Sequence, residues 1–420
     1  MTSAPARTSD TIEPGELARY SRVSEAWSFR LLPAETRVQE IACKAQDGCT
    51  SYGTLYRTTD CDVLAVLIHP RADTRRHYLI PALLQRGIAV WAHATRFTDS
   101  DSLLIDELFR DVSAVLMAAT ELGFRKLVAI GNSSGGAALA AYQAHVQSTK
   151  HASRSGDRPA FSGMVYLASM LNHSSVLSRV IDPAVTNEHD VNDRDRTLDM
   201  FDPANGFRPL PQSSRYESDF LRRYRAAQQA RVTRIDAEAQ RLCEEWNREL
   251  RAVGVTRLSV LPLTEQTRIE ERTGLPKHLH IRCTEANPAY TDLSIEPNRR
   301  IVGSFFSPRP DLSNFSTFGF AQTVTPFAWL STWSSTYGYP AATETVSTLH
   351  EPTLVLTYSG DHIVFERDGR AVFEACAATD KTRLEIDGDH LGLCPTRPED
   401  RTAQVTAGTT IANWILHRFC

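Results

Sequence analysis

The chain has 420 residues, of which 42% are apolar and 23% charged, and these proportions are typical of folded, water-soluble proteins. They exclude intrinsically disordered and fibrous proteins. The 46 Lys and Arg residues stand against 50 Asp and Glu residues and give a net charge of -4, so we expect no nucleic-acid partner and no membrane partner.

The start of the chain is polar. Residues 1–37 lack the basic segment and the apolar core of a secretion signal, so we expect an N-terminal extension there. No segment approaches the run of about 18 apolar residues that a membrane helix needs. The eight cysteines are scattered without a Cys-x-x-Cys pair, which favours reduced thiols, and a disulfide between Cys43 and Cys49 is the alternative. Together these features predict a cytoplasmic protein.

From residue 38 the hydrophobic pattern alternates between strands and helices, and Gly87 and Gly123 mark the ends of two helices. Strands are predicted at 38–43, 53–58, 63–69, 88–92, 126–130 and 163–168, and helices at 78–85, 101–122 and 137–146. Strands separated by helices of this length predict a mostly parallel sheet that is covered on both faces.

The alternation stops after residue 170 and resumes near residue 346. The last part of the chain has predicted strands at 353–357 and 382–386 and predicted helices at 366–378 and 401–417. Residues 38–170 and 346–420 therefore predict one doubly wound α/β unit with eight strands, interrupted by a large, mainly helical insertion at 171–345.

A long amphipathic helix is predicted within the insertion, at 215–253. Ser214 and Glu217 have the spacing of a capping box, and apolar residues keep helical spacing up to Gly254. An unbroken helix of this length would measure roughly 58 Å, which is longer than a small domain is wide. Two interpretations follow: its apolar stripe packs on its own insertion, or it contacts a second copy of the chain in a homodimer.

Ten aromatic residues lie between Phe305 and Tyr339, far above the 8% aromatic content of the whole chain. They are expected either to form the core of the insertion or to line an apolar binding pocket. In the second case Phe318, Phe320, Trp329 and Trp333 are candidate substrate-binding residues, together with His69.

The segment Gly131-Asn132-Ser133-Ser134-Gly135 matches Gly-x-Ser-x-Gly. It lies between an apolar strand and a helix, which is the context of a nucleophile elbow: a sharp turn that exposes the central serine. Ser133 is therefore the candidate nucleophile. The remaining interpretation is a glycine-rich turn without a catalytic role.

A serine hydroxyl needs a base to accept its proton and a carboxylate to orient that base. Asp361 follows the strand predicted at 353–357, and His390 follows the strand predicted at 382–386. The carboxyl ends of parallel strands meet at one edge of the sheet, where catalytic groups of α/β proteins collect. The prediction is a triad of Ser133, Asp361 and His390. The alternatives are His362 as the base and Asp387 or Asp389 as the acid.

An oxyanion formed at Ser133 needs two hydrogen-bond donors, one from the residue after the nucleophile and one from the loop after the third strand. The main-chain N–H of Ser134 is the first predicted donor. In the loop, Pro70 has no N–H, so the amide of Arg71 is the predicted second donor, with Ala72 as the alternative. A salt bridge is the commoner use of the Arg71 guanidinium, and binding of a substrate carboxylate is the other.

No cofactor and no metal are predicted. His278 and His280 form a His-x-His pair without a third ligand nearby, which favours two ordinary histidines. No glycine-rich nucleotide-binding loop accompanies a strand–helix unit.

With these residues in place, the chain resembles the α/β-hydrolase superfamily. The resemblance covers residues 38–170 and 346–420 and rests on the elbow at Ser133, the His69-Pro70 loop, Asp361 and His390. The insertion falls where that superfamily places its lid or cap, and we call it the cap (171–345). The loop lacks the His-Gly-Gly-Gly run of many lipases and esterases.

The resemblance implies the α/β-hydrolase fold and a serine-hydrolase mechanism, while Ser133 argues against relatives that use an aspartate nucleophile. We expect an enzyme of the carboxylesterase or lactonase type that cleaves an ester of a bulky apolar or aromatic small molecule. Hydrolysis of a carbon–carbon bond, acyl transfer by the same triad, and a non-catalytic ligand receptor on this fold are the alternatives.

Overall fold

An eight-stranded sheet lies at the centre of the computed structural model, which describes residues 32–150, 159–190, 192–253, 260–274, 277–316, 319–397 and 399–420. Its strands are β1 (Arg37–Lys44), β2 (Thr50–Arg57), β3 (Val63–His69), β4 (Ala89–Ala94), β5 (Lys126–Asn132), β6 (Gly163–Leu167), β9 (Thr353–Tyr358) and β10 (Lys381–Ile386). The short strands β7 (Leu279–His280) and β8 (Thr323–Val324) pair with each other. The order in the large sheet is β1-β2-β4-β3-β5-β6-β9-β10. The β1–β2 and β2–β4 pairs are antiparallel, and the others are parallel.

Helices connect the strands and cover both faces of the sheet. In the α/β unit they are α1 (Ile80–Leu84), α2 (Ile105–Glu121), α3 (Ser134–Lys150), α10 (Glu366–Ala375) and α11 (Thr402–Phe419). In the cap they are α4 (His173–Val180), α5 (Ser218–Val253), α6 (Leu263–Thr273), α7 (Pro310–Ser313), α8 (Pro326–Ala328) and α9 (Ala342–Val346). A π-helical turn follows α8 at Trp329–Trp333.

The central strands are mostly apolar, as expected for strands whose two faces are both covered by helices. In β3, Leu64, Val66 and Ile68 join the hydrophobic cluster under α2, α3 and α10. Val63, Ala65 and Leu67 point the other way, into the cluster under α1 and α11. This two-sided burial gives the sheet its layered α/β/α arrangement and fixes the register of each central strand.

The predicted fold class is confirmed: the sheet has eight mostly parallel strands with helices on both faces. Each predicted strand and helix of the α/β unit occurs, with shifts of a few residues at the ends. Helix α3, expected at 137–146, begins already at Ser134, directly after the elbow. The strand order, with the second strand antiparallel to its neighbours, is that of the α/β-hydrolase fold.

The cap lies between β6 and β9, and its described residues add no strand to the large sheet. Its hydrophobic cluster joins α4 and α5 to the π-helical turn, through residues such as Leu177, Ile235 and Trp329. The same cluster includes Ile363 and Val364, which follow β9 in the α/β unit. The cap therefore packs directly on the loop that carries the predicted acid.

Helix α5 is continuous over 36 residues, about 54 Å. Its apolar stripe, including Val232, Ile235 and Ala239, is buried against the rest of the cap. The interpretation in which the stripe packs on its own insertion is therefore the one observed in the single chain. A homodimer contact through residues 215–253 stays a prediction.

The predicted start of this helix is wrong. The helix begins at Ser218, and the Ser214 hydroxyl accepts a hydrogen bond from the Arg208 amide at 3.0 Å instead of capping the helix. Within the described ranges, no helix is long and apolar enough to span a membrane. Residues 1–31 of the predicted N-terminal extension lie outside the described residues.

Candidate active site

The elbow between β5 and α3 holds Ser133 in a left-handed backbone conformation, with φ of 56°. Such a conformation is unusual for a residue other than glycine and typical of a nucleophile elbow. The turn is so tight that a Cβ atom on Gly131 would lie 2.4 Å from Gly136 Cα. The Ser133 amide donates to the Leu167 carbonyl at 3.0 Å, which fixes the turn to the end of β6. The glycines around Ser133 are therefore required by close backbone approach.

Ser133, His390 and Asp361 form a continuous hydrogen-bonded chain. His390 Nε2 lies 2.9 Å from Ser133 Oγ, and His390 Nδ1 lies 2.7 Å from Asp361 Oδ2. With Nδ1–H donating to the carboxylate, Nε2 is free to accept the serine proton. All three side chains are buried. The structure thus brings together the three residues of the predicted triad.

Asp361 is fixed from its other side as well. Its Oδ1 accepts hydrogen bonds from the amides of Ile363, at 2.7 Å, and Val364, at 3.0 Å. The carboxylate is therefore held by the turn after β9 while its second oxygen binds the imidazole. This arrangement fixes the carboxylate in the position from which it orients His390.

The alternative acids and the alternative base have other partners. His362 Nε2 lies 3.1 Å from the carbonyl oxygen of Ile301, in the cap. Asp387 accepts a hydrogen bond from the Ser359 hydroxyl at 2.6 Å. Asp389 accepts from the amides of Leu391 and Leu393, both at 2.9 Å. The hydrogen bonds of these three alternatives stabilise the loops after β9 and β10.

The environment of His390 favours its protonated form. Burial lowers the pKa of this imidazole, but the charge of Asp361, the hydrogen bond to Asp361 and the charge of Asp389 together hold the pKa above its ordinary value. A raised pKa makes the imidazole a stronger proton acceptor. Phe305 covers its edge, with ring centroids 5.2 Å apart and planes at 83°.

The predicted second oxyanion donor, the Arg71 amide, already has an acceptor within its own loop. The Arg71 amide donates to His69 Nδ1 at 3.0 Å, and the Ala72 amide, the alternative, donates to the same atom at 2.7 Å. Both loop amides are therefore engaged within the loop. Ser134, the predicted first donor, is the first residue of α3, so its amide has no acceptor within the helix.

The Arg71 side chain has a structural use. Its Nε donates to the Ser100 carbonyl at 3.1 Å, and its guanidinium forms an ion pair with Asp101. The guanidinium also lies over the ring of Trp333, 5.2 Å from the ring centroid. Arg71 thus follows the commoner expectation of a salt bridge and connects the loop after β3 to the cap.

A cavity of about 1040 Å³ opens over Ser133 and His390. Among the predicted substrate-binding residues, His69, Phe320 and Trp333 line it. Phe318 lies outside the described residues.

The prediction that Trp329 binds the substrate is not supported by its position. Trp329 is fully buried in the core of the cap, where its indole N–H donates to Asp236 at 2.7 Å. The residues that line the cavity do not include it. The π-helical turn separates Trp329 from Trp333, and only Trp333 faces the cavity.

Aromatic side chains that the sequence reasoning did not select form much of the cavity wall. Phe306 contacts Phe320 at 5.1 Å between ring centroids, and His173 contacts Trp333 at 4.9 Å. Phe305 lies beside them, against His390. The adjacent pair Phe305-Phe306 was visible in the aromatic-rich stretch, but no signal in the sequence distinguished it from the other aromatic residues there.

Other residues of the cavity wall are polar. They come from β2 and from the loop after β3 and include Thr54, Tyr56 and His77. His77 Nε2 lies 3.4 Å from Asn132 Oδ1, next to the nucleophile. Burial lowers the pKa of His77 to about 4, so this imidazole is neutral at pH 7. In the described part of the chain, no three His, Cys, Asp or Glu side chains gather as a metal site requires.

No model of a known protein family matches the sequence, and no curated protein is detectably similar to it. Solved structures similar to the chain include the esterase domain of a Rhodothermus marinus protein, with 12% identity, a TM-score of 0.43, and coverage of 91% of this chain and 98% of that chain. DcsB in complex with its substrate analogue has 13% identity, a TM-score of 0.49, and coverage of 91% and 99%. The monoacylglycerol lipase of Paleococcus ferrophilus has 14% identity, a TM-score of 0.40, and coverage of 91% and 99%. The strand order and the elbow at Ser133 identify the fold of this chain as that of the α/β-hydrolases.

Proposed function

We propose that this protein is a serine hydrolase that cleaves a carboxylic ester or lactone of a bulky apolar or aromatic small molecule. The observation that carries the proposal is the hydrogen-bonded chain from Ser133 Oγ through His390 to Asp361, buried under a cavity with aromatic walls. A nucleophile, a base and an orienting carboxylate in this geometry are what acyl transfer to serine requires.

In the first half of the reaction, His390 Nε2 accepts the Ser133 proton while Ser133 Oγ forms a bond to the substrate carbonyl carbon. The carbonyl oxygen becomes an oxyanion near the Ser134 amide. As the tetrahedral intermediate collapses, the bond to the leaving oxygen breaks and His390 gives that oxygen its proton. The products are an alcohol, or the free hydroxyl of an opened lactone, and an acyl-enzyme on Ser133.

In the second half, water replaces the alcohol. His390 accepts a proton from the water as it attacks the acyl carbon, and then returns that proton to Ser133 Oγ when the ester bond to the enzyme breaks. The Asp361 carboxylate orients His390 and stabilises the imidazolium that forms in both halves. The carboxylic acid then leaves the cavity.

The substrate class follows from the cavity walls. Phe305, Phe306, Phe320 and Trp333 offer an apolar surface beside His390, and such surfaces bind apolar and aromatic groups. A cavity of about 1040 Å³ is at the upper end of the range for small-molecule sites. We infer that the acyl part of the substrate lies against these aromatic side chains.

The test compares the wild-type protein with Ser133→Ala. We expect the wild type to react with a fluorophosphonate probe and to hydrolyse p-nitrophenyl esters, and we expect the variant to lose probe labelling and at least about 10⁴-fold in kcat. Circular dichroism should show that the variant is folded. Ser148→Ala, on the exposed end of the same helix, is the matched control and should keep both activities.

Two outcomes would contradict the proposal. Ester turnover that survives in Ser133→Ala would remove the nucleophile assignment. Labelling of the wild type without turnover of any ester would argue against ester cleavage and favour hydrolysis of a carbon–carbon bond by the same triad.

A further inference from the structure

The tautomer of His69 follows from its hydrogen bonds. Two main-chain amides, those of Arg71 and Ala72, donate to His69 Nδ1 at 3.0 and 2.7 Å. A ring nitrogen that accepts hydrogen bonds carries a lone pair and no proton, so the proton of the neutral ring is on Nε2. His69 Nε2 lies 3.0 Å from Ser134 Oγ. His69 therefore donates a hydrogen bond to the Ser134 hydroxyl.

His69 keeps this role over a wide range of pH. Loss of hydration in the cavity wall and the nearby charge of Arg71 lower the pKa of His69 to about 3. A neutral ring at pH 7 has one donor and one acceptor nitrogen, and both are engaged here. The contact is thus a fixed hydrogen bond between neutral groups.

The Ser134 hydroxyl has one proton of its own to donate. Because Ser134 Oγ accepts from His69, its O–H must point away from that ring. Ser134 is 2% exposed, follows the nucleophile directly and lines the catalytic cavity together with Ser133 and His69. Its proton is therefore not used in the contact with His69, and Ser134 lines the same cavity as the adjacent Ser133.

We propose that the Ser134 hydroxyl is the second oxyanion donor of this enzyme, acting beside the Ser134 amide in place of an amide from the loop after β3. His69 is the positioning residue: it holds Ser134 Oγ and, by donating to that oxygen, makes the O–H a stronger donor. The inference rests on the proposed function, because an oxyanion forms only if Ser133 attacks a carbonyl.

The two loop amides explain why the hydroxyl is needed. An oxyanion requires donors already aimed at the position that the negative charge will occupy. The amides of Arg71 and Ala72 are directed at His69 instead. One residue, Ser134, then supplies both donors, one from its main chain and one from its side chain.

The first test is Ser134→Ala, which removes the hydroxyl and keeps the amide. We expect kcat for a p-nitrophenyl ester to fall about 10²–10³-fold, with KM changed less than about threefold, because the lost hydrogen bond strengthens only in the transition state. Ser134→Thr retains the hydroxyl and should keep kcat within about tenfold of the wild type. An unchanged kcat in Ser134→Ala would overturn the proposal.

The second test separates positioning from a structural role. His69→Phe keeps an aromatic ring but cannot donate to Ser134. We expect it to lower kcat in the wild-type background and to cost little more in the Ser134→Ala background, since both changes remove one interaction. Equal losses in the two backgrounds would show that His69 acts only on the shape of the loop, and would overturn its positioning role.

Probe labelling distinguishes this proposal from the proposed function. Ser134→Ala retains the nucleophile, so prolonged incubation with a fluorophosphonate should still label one serine per chain. If the wild type itself is neither labelled nor active, the proposed function fails. If the wild type is labelled and active while Ser134→Ala is equally active, only the second donor is wrong.

Discussion

His390 is held between opposing influences: burial favours its neutral form, and two carboxylates favour its charged form. Asp361 is bonded to it directly, whereas Asp389 acts through its charge while its oxygen binds the amides of Leu391 and Leu393. The base must be neutral to accept the Ser133 proton. Activity should therefore be lost as the pH falls through a pKa that lies above the ordinary value of about 6.5 for histidine.

This environment predicts the effect of Asp389→Asn. The substitution removes a negative charge that stabilises the imidazolium, so the pKa of His390 falls and the acid limb of kcat/KM moves to lower pH. The asparagine oxygen can still accept the two amide hydrogen bonds, and we expect the plateau of kcat/KM to change little.

The measurement is kcat/KM for one p-nitrophenyl ester between pH 5 and 9. Asp387→Asn is the matched control, since this neighbouring carboxylate is largely exposed and is not among the groups that raise the pKa of His390. If the acid limb of kcat/KM stays at the same pH in Asp389→Asn, or moves equally in both variants, the Asp389 charge does not raise the pKa of His390.

At the scale of elements, the segment that carries Phe305 and Phe306 forms part of the aromatic wall against which we propose that the acyl group lies. It is anchored by Ser304, whose hydroxyl donates to the buried carboxyl of Glu285. Burial raises the pKa of Glu285 to about 8, so the anchor is largely uncharged at pH 7. Phe305 is thus held against His390, and Phe306 against Phe320.

Phe306→Ala should widen the pocket without touching the triad. We expect the ratio of kcat/KM for a long-chain ester over a short-chain ester to rise by about 10-fold or more, because one pocket contact is worth roughly 1–3 kcal/mol. The measurement is a series of p-nitrophenyl esters of increasing acyl length. Phe315→Ala removes an exposed phenylalanine and should leave the series unchanged. If kcat/KM depends on acyl length in the same way in Phe306→Ala as in the wild type, the acyl group does not lie against Phe306.

Helix α5 contributes to stability through its buried stripe. Ile235 is 2% exposed and packs in the cluster that joins the cap to the loop after β9. We expect Ile235→Ala to lower the free energy of unfolding by about 2–5 kcal/mol, through lost contacts and the cavity left behind. Thr233→Ala changes an exposed position of the same helix and should stay within about 0.5 kcal/mol. Chemical denaturation followed by fluorescence measures both, and equal effects would contradict the packing described.

At the scale of the whole molecule, the cap and the α/β unit form a shared interface around the loop that precedes α2. Trp333 Nε1 donates to the Asp101 carbonyl at 2.8 Å, and the Thr332 hydroxyl donates to the Leu103 carbonyl at 2.7 Å. The Ser102 hydroxyl accepts from the Thr325 amide at 3.0 Å. Direct hydrogen bonds of this kind fix the aromatic wall relative to Ser133.

The sequence predicts the parts of the fold that depend on local order along the chain. Ser133 is recognisable because the elbow needs only a strand, a tight glycine turn and a helix in succession. Asp361 and His390 follow because the carboxyl ends of parallel strands must share one edge. The α/β fold and the meeting of Ser133, Asp361 and His390 therefore follow from the succession of strands, turns and helices.

The remaining features depend on the directions of side chains, which the sequence does not encode. The Arg71 amide was predicted as an oxyanion donor because the sequence does not show that the His69 ring accepts a hydrogen bond from it. Trp329 and Trp333 are equivalent in the sequence pattern. They lie at the two ends of the π-helical turn, and Trp329 is in the core of the cap whereas Trp333 lines the cavity. Ser214 does not cap α5 as predicted, because its hydroxyl accepts a hydrogen bond from the Arg208 amide.

The order of the elements has a consequence for how the protein is made. The nucleophile and its base are 257 residues apart, and the cap lies between them. A ribosome therefore completes β1 to β6 and the whole cap before it adds β9 and β10, which bring Asp361 and His390 to the sheet edge. Throughout this interval Ser133 lacks His390, so under the proposed function the nascent chain is inert as a hydrolase until its last two strands have joined the sheet.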